Sequence, residues 1–209
     1  MPLTKERGKE IREVYSTIEE NKVCIERNLK QVGGNKTKID GTNGLINESI
    51  KVFTGKSTQV HLTTQKKFIE KIDANDKVIN FIRLFCGNKD INNNGKDRYH
   101  TNEIDVNILN ETLDFFQNNS EKIINTVVCN GEKISFVTIR DLKSGNIYSK
   151  TFDEITSVVK ESRWVMLKGG LHLKNKNNKT IFHFQREGKK NKNNRYNVLF
   201  HIHKNLFID

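Results

Sequence analysis

Lys38-Ile39-Asp40-Gly41-Thr42-Asn43-Gly44-Leu45-Ile46-Asn47-Glu48-Ser49-Ile50-Lys51-Val52-Phe53 is the stretch whose reading decides the fold. Asn43-Gly44 supplies the positive φ values that a tight turn needs, so Lys38 to Phe53 is predicted to be a β-hairpin with its second strand centred on Ile50 and Val52. Asp40 then lies at the start of one strand, and Glu48, Ser49 and Lys51 lie on the other. Residues two apart on a strand share a face, so Ser49 and Lys51 go together and Glu48 points the other way unless a bulge intervenes. Paired acids can hold Mg²⁺ through oxygen ligands. The ion and a nearby Lys can then activate water and stabilise charge on a phosphodiester.

Helical spacing flanks the hairpin. Ile11, Val14, Tyr15, Ile18, Ile25 and Leu29 predict an amphipathic helix over Lys5 to Gln31, ending at Gly33-Gly34. Phe68, Ile69, Ile72, Val78, Ile79, Ile82 and Phe85 predict another over Thr63 to Phe85. Gly87 to Lys96 reads as a polar loop, Glu103 to Gln117 as a helix, and Asp153 to Val159 as a short one. Lys133 to Ile139 and Ile147 to Phe152 flank a second hairpin signal, Lys143-Ser144-Gly145-Asn146. The tail is predicted to be β-rich, with strands at Trp164 to Leu167, His172 to Lys174, Ile181 to Gln185 and Val198 to Ile202.

The order helix, hairpin, helix, with Lys38-Ile39-Asp40-Gly41, Ser49-Ile50-Lys51 and Thr58-Gln59-Val60-His61-Leu62, resembles the PD-(D/E)XK nuclease superfamily, and more particularly type II restriction endonucleases. The resemblance covers about the first 85 residues. It implies a mixed α+β fold with a PD-(D/E)XK-like core of helix, β-hairpin and helix, followed by a β-rich basic part. It implies Mg²⁺ as cofactor, double-stranded DNA as substrate, a homodimer, and a cognate methyltransferase acting on the same site. Asp40 is then a metal ligand, and Lys51 orients or activates the attacking water. The sequence departs from the family pattern in having Ser49 two before Lys51, where an acid is expected, and in lacking a Pro before Asp40. Three alternatives follow: a bulge brings in Glu48, the acid comes from the first helix at Glu20 or Glu19, or Ser49 holds the metal through water.

Charge supports a polyanionic partner. The 209 residues carry a net +11, and Lys160 to Asp209 holds 12 Lys/Arg against 3 acids, leaving only +2 for the rest. With the resemblance, residues 1–119 are expected to form the nuclease-like core and 120–209 a basic DNA-binding part, the alternative being one continuous domain. Candidate DNA contacts are Lys56, Gln59 and His61 beside the hairpin, and Gln185, Arg186, Lys189, Lys190, Arg195, His201 and His203 in the tail. Two rival readings use the tail alone: a non-catalytic nucleic-acid-binding protein such as a repressor, or an HNH-like nuclease in which histidines including His183, His201 and His203 hold a metal or act as general base. Glu187-Gly188-Lys189 is a second acid-x-Lys but lacks a suitable upstream acid. Gly55-Lys56-Ser57 lacks the upstream glycine of a P-loop, which argues against nucleotide hydrolysis.

Cys24, Cys86 and Cys129 are far apart and in no CxxC spacing, so reduced, buried thiols are expected. No apolar run approaches the length of a membrane span, and Met1 to Gly8 is charged rather than signal-like, so a soluble cytoplasmic protein is expected.

Overall fold

The structure is a computed structural model and describes residues 18–32, 37–88, 96–188 and 196–208. Over these residues the chain is mixed α+β, with six α-helices and two five-stranded sheets.

The first sheet is ordered β1 (Lys30–Gln31), β2 (Gly41–Thr42), β3 (Asn47–Phe53), β5 (Phe136–Asp141) and β6 (Ile147–Thr151). Its neighbours are antiparallel except β3 and β5, which run parallel with Glu48 opposite Phe136 and Phe53 opposite Asp141. The second is ordered β4 (Ser57–Thr63), β10 (Val198–His203), β9 (Thr180–Arg186), β8 (Gly170–Lys174) and β7 (Arg163–Leu167), antiparallel throughout. Both sheets therefore draw strands from either side of residue 120. The helices are α1 (Glu20–Glu26), α2 (Gln65–Ile72), α3 (Asp76–Cys86), α4 (Val106–Asn118), α5 (Ser120–Val128) and α6 (Phe152–Lys160). None is long and apolar enough to cross a membrane.

Both predicted hairpins form. At the first, Asn43 Oδ1 accepts from the Leu45 and Ile46 amides at 3.1 and 3.0 Å, and Gly44 adopts φ +88°. The four predicted tail strands and the helices after residues 103 and 152 also form, within a few residues of their expected ends.

Two helix predictions need correction. The first helix ends well before Gly33-Gly34: Asn28 turns left-handed at φ +53°, and Lys30-Gln31 leaves to pair with β2. Its expected portion from Lys5 through residue 17 lies outside the described residues. The predicted helix from Thr63 to Phe85 is two helices, because Asp73 is left-handed at φ +58° and the Asn75 side chain caps the next helix by accepting from the Val78 amide at 3.0 Å. Residue spacing alone does not predict strand β4 or helix α5.

The main core is aromatic. The Phe184 ring lies 5.3–6.3 Å from those of Phe68, Phe81, Phe85, Phe116 and Phe200, which come from α2, α3, α4 and β10. Gly170, at φ +135°, is a close approach that a side chain would block, since a Cβ there would lie 2.1 Å from the Phe184 carbonyl oxygen. A smaller cluster of Val23, Cys24, Leu29 and Ile50 fastens α1 to β3. All three cysteines are free and buried. Because Phe184 sits where four helical or strand elements meet, Phe184→Ala is expected to cost about 3–5 kcal/mol, read as a lower urea midpoint with an unchanged m-value.

Candidate active site at the edge of strand β3

Asp40 precedes β2 and is held to β3 by its backbone: its amide donates to the Glu48 carbonyl at 2.8 Å, and its carbonyl accepts from the Val32 amide at 3.0 Å. The β2–β3 ladder stops at Gly41 opposite Glu48, and from there the Asp40 side chain replaces the strand. Its Oδ2 accepts from the Ile50 amide at 2.7 Å and from Lys51 Nζ at 2.8 Å, with Ser49 Oγ at 3.4 Å. Lys51 Nζ also donates to the Ile50 carbonyl at 2.8 Å. Asp40 and Lys51 are only 13% and 16% exposed, so this ion pair is partly desolvated.

Glu20, on the first turn of α1, belongs to the same group. Its pKa is raised to about 8, mainly by burial and then by the charge of Asp40, with Lys51 opposing. The Cys24 thiol, whose Sγ lies 3.9 Å from the Asp40 carbonyl, is pushed up to about 11 by burial and then by the charges of Asp40, Glu20 and Glu48. Lys38 is a further member that no sequence motif singles out. Its Nζ donates to the Val60 carbonyl, and burial, followed by the charge of Lys51, lowers its pKa to about 8.

Glu48 lies elsewhere. Strand β3 pairs with β5 without a bulge from Glu48 to Phe53, so Glu48 keeps to the face opposite Ser49 and Lys51. It is fully buried, accepts from Arg27 Nε at 2.8 Å and from Thr138 Oγ1 at 2.6 Å, and lies 2.7 Å from an Arg27 terminal nitrogen. Glu19 is likewise engaged, with Lys22 Nζ at 2.6 Å and Arg140 Nε at 3.8 Å. Of the alternatives for the second carboxylate, Glu20 feels the Asp40 charge, Ser49 lies beside Asp40, and Glu48 and Glu19 are committed to ion pairs.

The candidate DNA contacts divide. Lys56 and Gln59 are exposed on and before β4. His61 is buried, because the β4–β10 register shifts at Phe200/His201, where Val60 is the extra residue on β4, setting Gln59 opposite His201 but His61 opposite Phe200. Arg186 is turned inward, donating to the Tyr99 carbonyl at 2.9 Å with its guanidinium 5.4 Å from the centre of the Phe85 ring. Lys189, Lys190 and Arg195 lie outside the described residues.

The histidines form a row across the second sheet, His172 opposite His183 opposite His201. His183 Nδ1 shares a 2.7 Å hydrogen bond with His203 Nε2, and Gln185 bridges His183 and His201 at 2.9 and 3.1 Å. Burial lowers the pKa of all four rings, to about 4 for His172, His201 and His203. Among the described residues no group of three or more His, Cys, Asp or Glu is arranged to hold a metal ion.

No protein-family model matches the chain, and no curated protein matches its sequence. Among solved structures it is similar to restriction endonuclease MspI, determined in complex with its cognate DNA, at 11% identity and a TM-score of 0.45, over 82% of this chain. The chain spans 66% of that chain's length.

Two outcomes are expected. Glu48→Ala is expected to destabilise the protein by about 3 kcal/mol, the low end for breaking a buried pair, because Arg27 is 28% exposed and regains water; equilibrium unfolding in urea checks this. For Glu20, the folded pKa of about 8 lies above the ordinary value of 4.5. The folded state therefore binds the proton more tightly, and the stability this gives is full below pH 4.5 and lost as pH rises through 8. In metal-free buffer, Glu20→Gln should accordingly become more stable relative to the parent protein between pH 5 and 8. Lys38 stays protonated in both states over most of that window.

Proposed function

We propose that the protein is a sequence-specific double-stranded DNA endonuclease of the type II restriction class that hydrolyses phosphodiester bonds with Mg²⁺. The observation that carries this reading is the partly buried Asp40–Lys51 pair at the edge of β3, with a second carboxylate, Glu20, whose pKa is raised by burial and then by the charge of Asp40. Two acids crowded in a desolvated setting favour a cation between them, and Mg²⁺ commonly takes one or two carboxylates and completes its shell with water and substrate phosphate. Asp40 and Glu20 would hold the ion. When bound, Mg²⁺ supplies positive charge opposite the phosphate and makes water more acidic.

The remaining roles belong to the chain. Glu20, whose pKa burial raises to about 8, would have to give up its proton to serve as a ligand, so uptake of an ion there would release a proton near neutral pH. Lys51 Nζ, fixed by Asp40 Oδ2 and the Ile50 carbonyl, would orient water and stabilise charge that develops on the phosphoryl oxygens. Ser49 Oγ supports Asp40 from the same strand face. The net +11 charge supplies the attraction to DNA. Cutting both strands of a duplex fits a homodimer with two-fold symmetry, and a cognate methyltransferase acting on the same site would protect the host's own DNA.

Supercoiled plasmid incubated with the protein should be cut with Mg²⁺ and left intact with EDTA. Asp40→Ala should abolish cutting while DNA binding persists, and Lys51→Ala should slow it about 10²–10⁴-fold. Wild-type cutting by Asp40→Ala would remove this edge from the active site, and binding without cutting by the parent protein would favour the repressor reading.

A further inference from the structure

Lys38 also lines a cleft of about 620 Å³ whose other walls include His61, Lys67, Lys71 and Asn130. His61 is 5% exposed, and among the described residues neither of its ring nitrogens has a hydrogen-bond partner. A buried imidazole left in this way loses the hydration of one donor and one acceptor, and such a group calls for an explanation, an outside ligand among them. Lys67 and Lys71 are four apart on α2 and so project from one helix face into the cleft. Lys71 Nζ is steered by Asn130, donating to its side-chain oxygen. One acid, Glu70, lines the cleft, and its carboxylate lies 4.0 Å from Lys66 Nζ. The field at the imidazole is positive: after burial, it is Lys38 and Lys71 that lower its pKa, to about 3. The ring is therefore neutral at pH 7, with one N–H to donate.

A neutral N–H donor ringed by ammonium groups suits an oxyanion with several acceptor oxygens. We propose that this cleft is a phosphate-binding subsite, in which His61 donates a hydrogen bond and Lys67 and Lys71 supply the charge. Its position beside Lys38, two residues from Asp40, suits a backbone phosphate near the one to be cut. That source rests on the endonuclease reading, whereas the capacity to bind phosphate does not.

The test uses the full chain in EDTA with ¹⁵N-labelled histidine, titrated separately with inorganic phosphate and with a short DNA duplex. The His61 ring signals should move with both. In parallel, Lys67→Ala/Lys71→Ala should flatten the slope of log K against log salt for duplex binding by about 0.9 for each phosphate that is no longer neutralised. Movement with inorganic phosphate alone, and an unchanged slope, would identify a free phosphate group as the ligand. If the His61 signals move with neither titrant, the proposal is overturned. Because none of these readouts requires cutting, they separate failure of the subsite from failure of the endonuclease reading.

Discussion

The arrangement depends on one substitution in a hydrogen-bond ladder. Strand β2 is only two residues long, and where it ends the Ile50 amide would lack a partner inside the protein. The Asp40 carboxylate takes that amide and Lys51 Nζ on the same oxygen. A buried backbone donor must be satisfied, so the carboxylate position is set by the sheet rather than by a free rotamer choice. Lys51 is set in turn, since its ammonium group is shared between that oxygen and the carbonyl of the preceding residue. The acid and the ammonium group are thus preorganised by the β3 backbone.

The alternation of β3 then separates two uses of acidity a single residue apart. Glu48 and Ile50 face α1, where Glu48 closes on Arg27 and Ile50 packs with Val23 and Cys24. This ties the helix to the sheet and sets Glu20 within reach of the Asp40 charge. Gly41 permits the approach, since a Cβ there would lie 2.8 Å from Cys24 Sγ. Glu48 thereby supports the site through structure while remaining outside it.

Much of this is legible in the sequence. The Asn43-Gly44 turn predicts the hairpin, and the period of two along β3 predicts that Lys51 and Ser49 share a face that Glu48 does not. The source of the second acid is not legible there. It depends on how α1 packs, and Glu19 and Glu20 are neighbours whose different surroundings, Arg140 for one and Asp40 for the other, arise only in the tertiary structure. His61 escapes a strand-parity reading for a similar reason: it shares odd parity with Gln59, and only the bulge at Val60 turns it inward. The tail forms the strands its composition predicts, but its histidines and Gln185 bond to one another across neighbouring strands, a register that strand spacing alone does not supply.

If a divalent cation is held by Glu20 and Asp40 at the edge of β3, as proposed, substoichiometric Mn²⁺ should broaden backbone amide NMR signals there. Broadening should centre on the amides of Glu20, Gly41, Ile50 and Lys51 and be lost in Asp40→Asn, while His183 and His201 are spared. Broadening centred on the histidine row, or unchanged broadening in Asp40→Asn, would put the cation elsewhere than at Asp40.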